Sequence, residues 1–240
     1  MINSMRLVAG AVAIVALVGI GIIVLRPTSN FGGDPPPTPA PSASAAASVA
    51  GQPILGSGPL EPGTYHILRG PATPVSFSFT VPAGWIGGGA GAGKHPDESG
   101  RELGFGASII DEVFADPCGA NLPIDAGATA QNLADALTGL PGLDVSPPEP
   151  ISIDGEEGIA LDLAVAEGID VETCDPPIGL QGWIDRAGDY GVIGEGVSTR
   201  LYLADVGGER FVLVSNAADA ADPNDLAELA TIIESIRFER

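Results

Sequence analysis

The sequence predicts an α+β domain with a mainly antiparallel sheet and two principal helices, preceded by an N-terminal transmembrane helix and a disordered linker. Three observations support this prediction: segments that alternate apolar and polar residues, two segments with helical spacing, and one long apolar run near the N-terminus. The strands come in hairpins and the helices are far apart in the chain. This order is typical of an antiparallel sheet with packed helices rather than of repeated βαβ units.

The apolar run covers residues 7–25, LVAGAVAIVALVGIGIIVL, and contains no polar side chain. As a helix it would be about 29 Å long, which matches a hydrocarbon core of roughly 30 Å. The alternative is a cleavable secretory signal, whose apolar region is usually about 7 to 15 residues long and ends at a small-residue cleavage site. This run ends at Arg26-Pro27. We therefore expect an uncleaved single-pass anchor over residues 1–26.

Residues 27–59 are rich in proline, alanine and serine, and they predict a linker because this composition buries too little apolar surface to offset the entropy of ordering. The charges that flank the apolar run, Arg6 and Arg26, are nearly balanced and only weakly favour a cytoplasmic N-terminus. The proline-rich tether and the isolated pair of cysteines favour the same orientation. We expect residues 60–240 to form a domain outside the cytoplasm, held at the cell membrane.

The first clear strand of that domain is VSFSFTV, residues 75–81, in which apolar and polar residues alternate strictly. Such alternation predicts a half-buried strand with one apolar face. The residues on this face are Val75, Phe77, Phe79 and Val81.

Two hairpins follow later in the chain. Residues 151–165 contain two apolar segments separated by DGEEG, and residues 200–215 contain two more that turn at Gly207-Gly208. In the first hairpin, the residues expected on one face are Ile159, Leu161, Leu163 and Val165.

The two helices are predicted from their caps and apolar spacing. Thr129 is suited to cap the first helix, which Pro141 would end, and Asp222-Pro223 marks the start of the second, with Asp225 in its first turn. The inward stripe of the first helix is Leu133, Ala136, Leu137 and Leu140, and that of the second is Leu226, Leu229, Ile233 and Ile236.

The charge of the chain limits its partners. There are 31 acidic residues against 10 lysines and arginines, which gives a net charge of −21. Binding to nucleic acid or to anionic lipid headgroups depends on neutralising phosphates with Lys and Arg. We therefore expect no nucleic-acid partner.

The run GGGAGAGK, residues 87–94, satisfies the spacing G-x-x-x-x-G-K between Gly88 and Lys94. A phosphate-binding loop needs Ser or Thr next and then a helix, whereas His95-Pro96 follows here. The sequence thus argues against a nucleotide site and predicts a mobile surface loop.

Few of the side chains that catalysis requires are present. The two histidines are His66, in the strand-like segment TYHILR, and His95, and the short His and Cys spacings of zinc sites are absent. The G-x-S-x-G turn of serine hydrolases is also absent. A pair of carboxylates could still act in hydrolysis, but the acidic residues are too numerous for the sequence to single out a pair.

Calcium is the one cofactor that the charge favours. The acidic segments 154–158 (DGEEG) and 170–175 (DVETCD) lack the ligand spacing of an EF-hand loop. We expect solvated acidic turns, with weak surface binding of calcium as the alternative. The sequence identifies no catalytic, cofactor-binding or metal-ligating residue.

The cysteines are more informative. Cys118 follows Asp116-Pro117 and Cys174 precedes Asp175-Pro176, so both lie in turn-like segments. An isolated pair in an exported domain is most often bridged, although two separate buried thiols are the alternative. We expect a Cys118–Cys174 disulfide, which would stabilise the fold by about 4 kcal/mol in the chain-entropy model.

Several short motifs carry a family resemblance that covers about residues 60–240. They are FTVPAGW (79–85), VFADPC (113–118), the hairpin 158–165 and SIRF (235–238). With these motifs the chain resembles a group of membrane-anchored, extracytoplasmic bacterial domains that is common in high-GC lineages. More distantly, a strand ending in V-P-x-G-W, followed by hairpins and a C-terminal helix, resembles the Mog1/PsbP-like α/β sandwich.

The resemblance implies a compact sandwich with a binding or accessory role, and it brings no catalytic residues with it. The glycine-rich insertion after Trp85 departs from the pattern. We therefore expect a noncatalytic, membrane-tethered module that binds an envelope protein or a small ligand. Two alternatives stay open: a lateral sensor or regulator that acts through a membrane partner, and a carboxylate-based envelope hydrolase.

Overall fold

The computed structural model of the chain describes residues 52–53, 58–94, 103–119, 122–175, 177 and 179–239. All of them lie in the second of the two units into which the chain divides, Ala46–Arg240. The predicted anchor and most of the predicted linker lie outside the described residues. Within the described ranges, no helix has both the length and the apolar character needed to cross a membrane.

The described residues form short and long strands with two α-helices among them. The strands are β1 (Gln52–Pro53), β2 (Gly58–Pro59), β3 (Gly63–Ile67), β4 (Ser76–Val81), β5 (Ile86–Gly88), β6 (Gly91–Lys94), β7 (Leu103–Ser108), β8 (Ile110–Phe114), β9 (Pro123–Asp125), β10 (Leu143–Val145), β11 (Glu149–Ile153), β12 (Glu156–Val165), β13 (Leu180–Asp185), β14 (Tyr190–Ile193), β15 (Val197–Val206), β16 (Glu209–Ala218) and β17 (Arg237–Glu239). The helices are α1 (Ala130–Thr138), α2 (Pro223–Glu234) and a short 3-10 helix, Val171–Thr173.

These strands form three sheets. The central sheet has the order β10-β12-β15-β16-β7-β6-β5-β2, and β11 also pairs with β12. A second sheet has the order β1-β3-β4-β17, and a third has the order β14-β13-β8-β9. The strand pairs in these sheets are antiparallel except β1 with β3. The predicted α+β class with a mainly antiparallel sheet is confirmed.

The central sheet has a hydrophobic core on each face. Phe211 and Val212 are neighbours on β16 and belong to different cores, because successive side chains of a strand point to opposite faces. Phe211 packs with α2 and with the aromatic residues of β4. Val212 packs with α1 and with the third sheet. The sheet is therefore the middle layer of a sandwich.

The predicted strand at residues 75–81 is confirmed as β4. Phe77, Phe79 and Val81 are buried in the core that contains α2, and Val75 packs partly against it just before the strand. Phe79 meets Phe105 edge to face, with ring centroids 4.9 Å apart. This aromatic cluster joins the second sheet to the central one.

Both predicted hairpins are confirmed, but the first turn is shorter than expected. Ile153 pairs with Glu156, so the turn is only Asp154-Gly155, with φ of 49° and 83°, and the two glutamates of DGEEG already belong to β12. The second hairpin turns at Gly207-Gly208, with φ of 61° and 85°. Positive φ at both central residues gives a turn whose twist matches the right-handed twist of the strands. Glycine adopts positive φ at no steric cost.

The caps of both helices are confirmed. Thr129 and Asn132 form a capping box at α1, and the side chain of Asp222 accepts from the backbone N–H of Asn224 at α2, where Pro223 is the first residue. The predicted stripes need correction at four positions. Leu140 and Ile236 are buried just beyond the helix ends, Ala136 is only half-buried, and Leu226 is 41% exposed while Ile232 is buried instead.

Candidate functional site

The glycine-rich segment Gly88–Lys94 forms part of a hairpin in the central sheet, so the prediction of a mobile surface loop is wrong for these residues. Strands β5 and β6 pair directly, and Gly89, with φ of 56°, lies in the turn between them. Lys94 is the last residue of β6. It therefore does not introduce a helix as the lysine of a phosphate loop does. Residues 95–102, including His95, lie outside the described residues.

Glycines face each other across β6 and β7. Gly91 lies opposite Gly106, and Gly93 lies opposite Gly104. A Cβ atom on Gly91 would overlap the Phe105 carbonyl oxygen, and one on Gly93 would stand 2.8 Å from the carbonyl oxygen of Leu103. The two strands thus approach more closely than a larger residue at these positions would allow.

One face of this strand pair is apolar and covered. Ala92, Leu103 and Phe105 alternate with the glycines and belong to the core that contains α2. The opposite face bears only hydrogen atoms at the paired glycines, so its surface consists of bare peptide planes. This glycine face is the floor of a groove with a volume of about 470 Å³. We refer to this concavity as the glycine groove.

Side chains from other strands form the walls of the glycine groove. Trp183 of β13 and Val214 and Asn216 of β16 line it, and Ser108 lies at the end of β7. Trp183 is 4% exposed, and a Cβ atom on Gly191 would overlap its ring, so the indole packs directly against that glycine. The groove thus has one aromatic wall that is fixed by packing.

A second concavity of about 400 Å³ adjoins the glycine groove. It shares Trp183, Val214 and Asn216 with the groove, and Tyr190 lies at its rim. Tyr190 is 57% exposed and stacks on Phe114, with ring centroids 5.8 Å apart. The concave surface therefore continues towards an exposed aromatic ring.

Two polar side chains open into the glycine groove. Asn216 accepts a hydrogen bond from the Thr199 hydroxyl at 2.9 Å, which fixes the orientation of its amide group. Ser108, as a residue, is only 9% exposed, and it also lines the groove. A hydroxyl can both donate and accept a hydrogen bond, so it is suited to bond a polar group of a ligand.

A charged cluster lies behind the groove floor, on the side of α2. Lys94 forms ion pairs with Asp225 and, at 2.8 Å, with Glu228, and the indole N–H of Trp85 donates to Glu228 at 3.1 Å. The Lys94 ammonium also lies 5.6 Å from the centre of the Trp85 ring. This cluster fastens α2 to the glycine strands.

The pKa directions agree with this geometry. Hydrogen bonds from Lys94 and then from Trp85 lower the pKa of Glu228 below its ordinary value. Burial opposes the charged form of Lys94, but hydrogen bonds to Asp225 and Glu228 outweigh it and raise the pKa of the amine.

The structure also locates the other residues that the sequence singled out. Cys118 and Cys174 form a disulfide, in agreement with the sequence prediction. His66 lies in β3 and hydrogen-bonds Glu239 of β17, away from the glycine groove. Within the described residues, no group of three or more His, Cys, Asp or Glu side chains is arranged to hold a metal ion.

The sequence analysis does not predict the groove residues. The signal was present, because GAG at 91–93 and GFG at 104–106 both repeat glycine at every second position. This spacing predicts a strand with one bare face when it is considered as a strand pattern rather than as a phosphate-loop motif. Trp183 and Ser108 carry no such signal, since they reach the groove only through the pairing of distant strands.

Comparisons with known proteins identify no family for this chain. No family model matches the chain, and no curated protein matches it. Among solved structures, the chain is similar to the solution structure of cyanobacterial PsbP (CyanoP) from Synechocystis sp. PCC 6803. The identity is 13%, the alignment covers 83% of this chain and 100% of that chain, and the TM-score is 0.35. No residue role is transferred on this basis.

Proposed function

We propose that the domain from about residue 60 onward is a noncatalytic binding module whose ligand site is the glycine groove. One observation carries the proposal: a sheet face without side chains at its paired glycines forms the floor of a groove of about 470 Å³ that Ser108 and Asn216 also line. Ligand sites are typically concave, about 300 to 1,000 Å³ in volume, and mostly apolar with a few placed polar groups.

The proposal includes a location. The apolar run at residues 7–25 and the proline-rich segment after it would hold the module outside the cytoplasm, at the surface of the cell membrane. The Cys118–Cys174 disulfide supports this location because such bridges persist in oxidising compartments. The ligand would then be a small molecule or an exposed group of an envelope protein.

Gly106 is the residue with which to test the site. A Cβ atom there would stand 4.0 Å from the Cα atom of Gly91, which is ordinary van der Waals contact. Because Gly106 shares its face with Gly104 and Ser108, a larger side chain would project into the groove. Gly139, at the exposed end of α1, is a matched control with φ of −87°, where a Cβ atom would make only ordinary contacts, at 3.8 Å or more.

The experiment is a thermal-shift screen of the full chain in lipid nanodiscs against peptides, glycans and small metabolites. A ligand at 100 times its Kd adds about 2.7 kcal/mol to the free energy of unfolding. We expect ligands that raise the unfolding temperature of the wild type and of Gly139→Leu but not that of Gly106→Leu.

Two results would contradict the proposal. Ligands that stabilise Gly106→Leu as strongly as the wild type would place the site elsewhere. Turnover of an ester, glycoside or peptide substrate that disappears on changing one Asp or Glu would make the domain a hydrolase.

A further inference from the structure

The floor of the glycine groove constrains the shape of what it can bind. In a sheet, backbone N–H and C=O groups point sideways to neighbouring strands, so the face itself offers no hydrogen bonds. Strands β5, β6 and β7 are paired in this way, and the paired glycines of β6 and β7 leave the flat sides of their peptide groups open. Dispersion attraction over such a surface is largest for a planar group that lies flat on it.

The polar groups of the groove lie towards its two ends. Asn216 pairs with Gly104, and Ser108 lies four residues further along β7. At about 3.3 Å per residue the two positions are roughly 13 Å apart along the strand. Between them Val214 lies opposite Gly106, so the middle of the groove is apolar. A ligand that uses both polar side chains must be elongated.

The charge of the site disfavours anions. Among the described residues that line the groove, Lys94 alone is charged, and its ammonium is bonded to Asp225 and Glu228 of α2. The chain as a whole carries a net charge of −21. A field of this sign repels approaching anions and attracts cations.

We infer that the glycine groove takes an elongated, planar organic molecule that is uncharged or positively charged and has polar groups towards both ends. This inference rests on the proposed function, because it gives the ligand class of the same site.

Two rigid tricyclic compounds of similar shape and opposite charge provide the test. Proflavine is a planar cation with an amino group at each end, and anthraquinone-2,6-disulfonate is planar with an anionic group at each end. Binding of each compound to the full chain is measured by equilibrium dialysis, with phosphatidylcholine nanodiscs at moderate salt. Empty nanodiscs provide the background.

We expect saturable binding of proflavine to the wild type and to Gly139→Leu, with at least a tenfold higher Kd for Gly106→Leu. The disulfonate should bind the wild type at least tenfold more weakly than proflavine. Circular dichroism checks that Gly106→Leu is folded. If it is not, Gly106→Ala, which adds a single methyl group to the groove, should raise the Kd for proflavine severalfold.

Proflavine that fails to bind saturably, or binds all variants equally, would overturn the ligand class. Stronger binding of the disulfonate that depends on Gly106 would overturn the inferred charge but leave the groove as the site. A thermal-shift ligand that depends on Gly106 and is not planar would likewise overturn the ligand class alone. These outcomes separate the failure of this inference from the failure of the proposed function.

Discussion

A Cβ atom on Gly91 would stand 2.5 Å from the Cα atom of Gly106, whereas a Cβ atom on Gly106 would stand 4.0 Å from the Cα atom of Gly91. The two glycines lie opposite each other on β6 and β7. The pair is therefore asymmetric: Gly91 is required by the close approach of the strands, and Gly106 is not. What Gly106 provides is the open floor of the glycine groove.

This asymmetry predicts different costs for the same substitution. Gly91→Ala should lower the free energy of unfolding by about 1 to 3 kcal/mol, because the new methyl group overlaps the Phe105 carbonyl and the strands must move apart. Gly106→Ala should change it by less than about 1 kcal/mol. Chemical denaturation followed by tryptophan fluorescence measures both. Equal losses for the two variants would show that both glycines are there for strand packing.

The ion pair between Lys94 and Glu228 predicts a dependence of stability on pH. The pKa of Glu228 is lower in the folded chain than in the unfolded one, so its ionisation stabilises the fold at neutral pH. This stability is lost as the pH falls below about 4.5 and through the folded pKa. Because the Glu228 side chain is 38% exposed, solvent screening keeps the effect below about 1 kcal/mol.

The variant Glu228→Gln should therefore lose less stability than the wild type between pH 6 and pH 3. Glu234→Gln, on the exposed side of the same helix, is the control and should behave as the wild type does. Denaturation curves at a series of pH values give the comparison. If the free energy of unfolding of the wild type falls no more steeply with decreasing pH than that of Glu228→Gln, the role of this carboxylate is contradicted.

Arg210 predicts a loss of stability on a conservative change. Its side chain is only 7% exposed and donates to the backbone carbonyls of Ile110 and Gly127, which ties β16 to β8 and to the segment before α1. Burial lowers the pKa of its guanidinium. A lysine presents one compact ammonium and cannot reproduce the fork of donors.

We expect Arg210→Lys to lower the free energy of unfolding by about 1 to 3 kcal/mol, which is the usual cost of leaving a buried polar group unpaired. Arg69→Lys is the control, because the Arg69 side chain is 66% exposed and pairs with Glu209 at the surface. Urea denaturation compares the two. If the two variants lose the same small amount, the buried bonds of Arg210 contribute little.

The proposed location predicts which side of the membrane carries Cys118. After mild reduction of the disulfide in intact cells, a membrane-impermeant maleimide should label this thiol. A permeant maleimide and a cytoplasmic marker protein provide the controls. Labelling that occurs only after lysis would reverse the topology and remove the support for a role outside the cytoplasm.

Much of the fold follows from local signals in the sequence. The alternation in β4, the Gly207-Gly208 turn and the caps Thr129 and Asp222 are all visible within a few residues, and the structure confirms them. The errors arose where tertiary packing determines which helix positions are buried. Leu226 has the same helical spacing as the buried residues of α2, but it is exposed. The core covers α2 only from Leu229 onward, about one turn later.

The glycine groove depends on contacts between distant parts of the chain. Its floor exists because Gly93 and Gly104 meet in register beside Gly106, and its aromatic wall exists because β13 brings Trp183 over the sheet. Sequence periodicity reports which face of a strand is bare, but it does not report what lies above that face. The sequence could therefore predict the bare face of the strands but not the groove above it.

A titration followed by NMR tests most directly that the glycine groove is the ligand site. The full chain, labelled with 15N only at its glycines, is titrated with a compound that raises its unfolding temperature. We expect the largest changes in amide chemical shift at Gly93, Gly104 and Gly106, which line the groove, and hardly any change at Gly139 and Gly188. Changes that are largest at Gly188, in the turn between β13 and β14, with these three groove glycines unmoved, would contradict the proposed site.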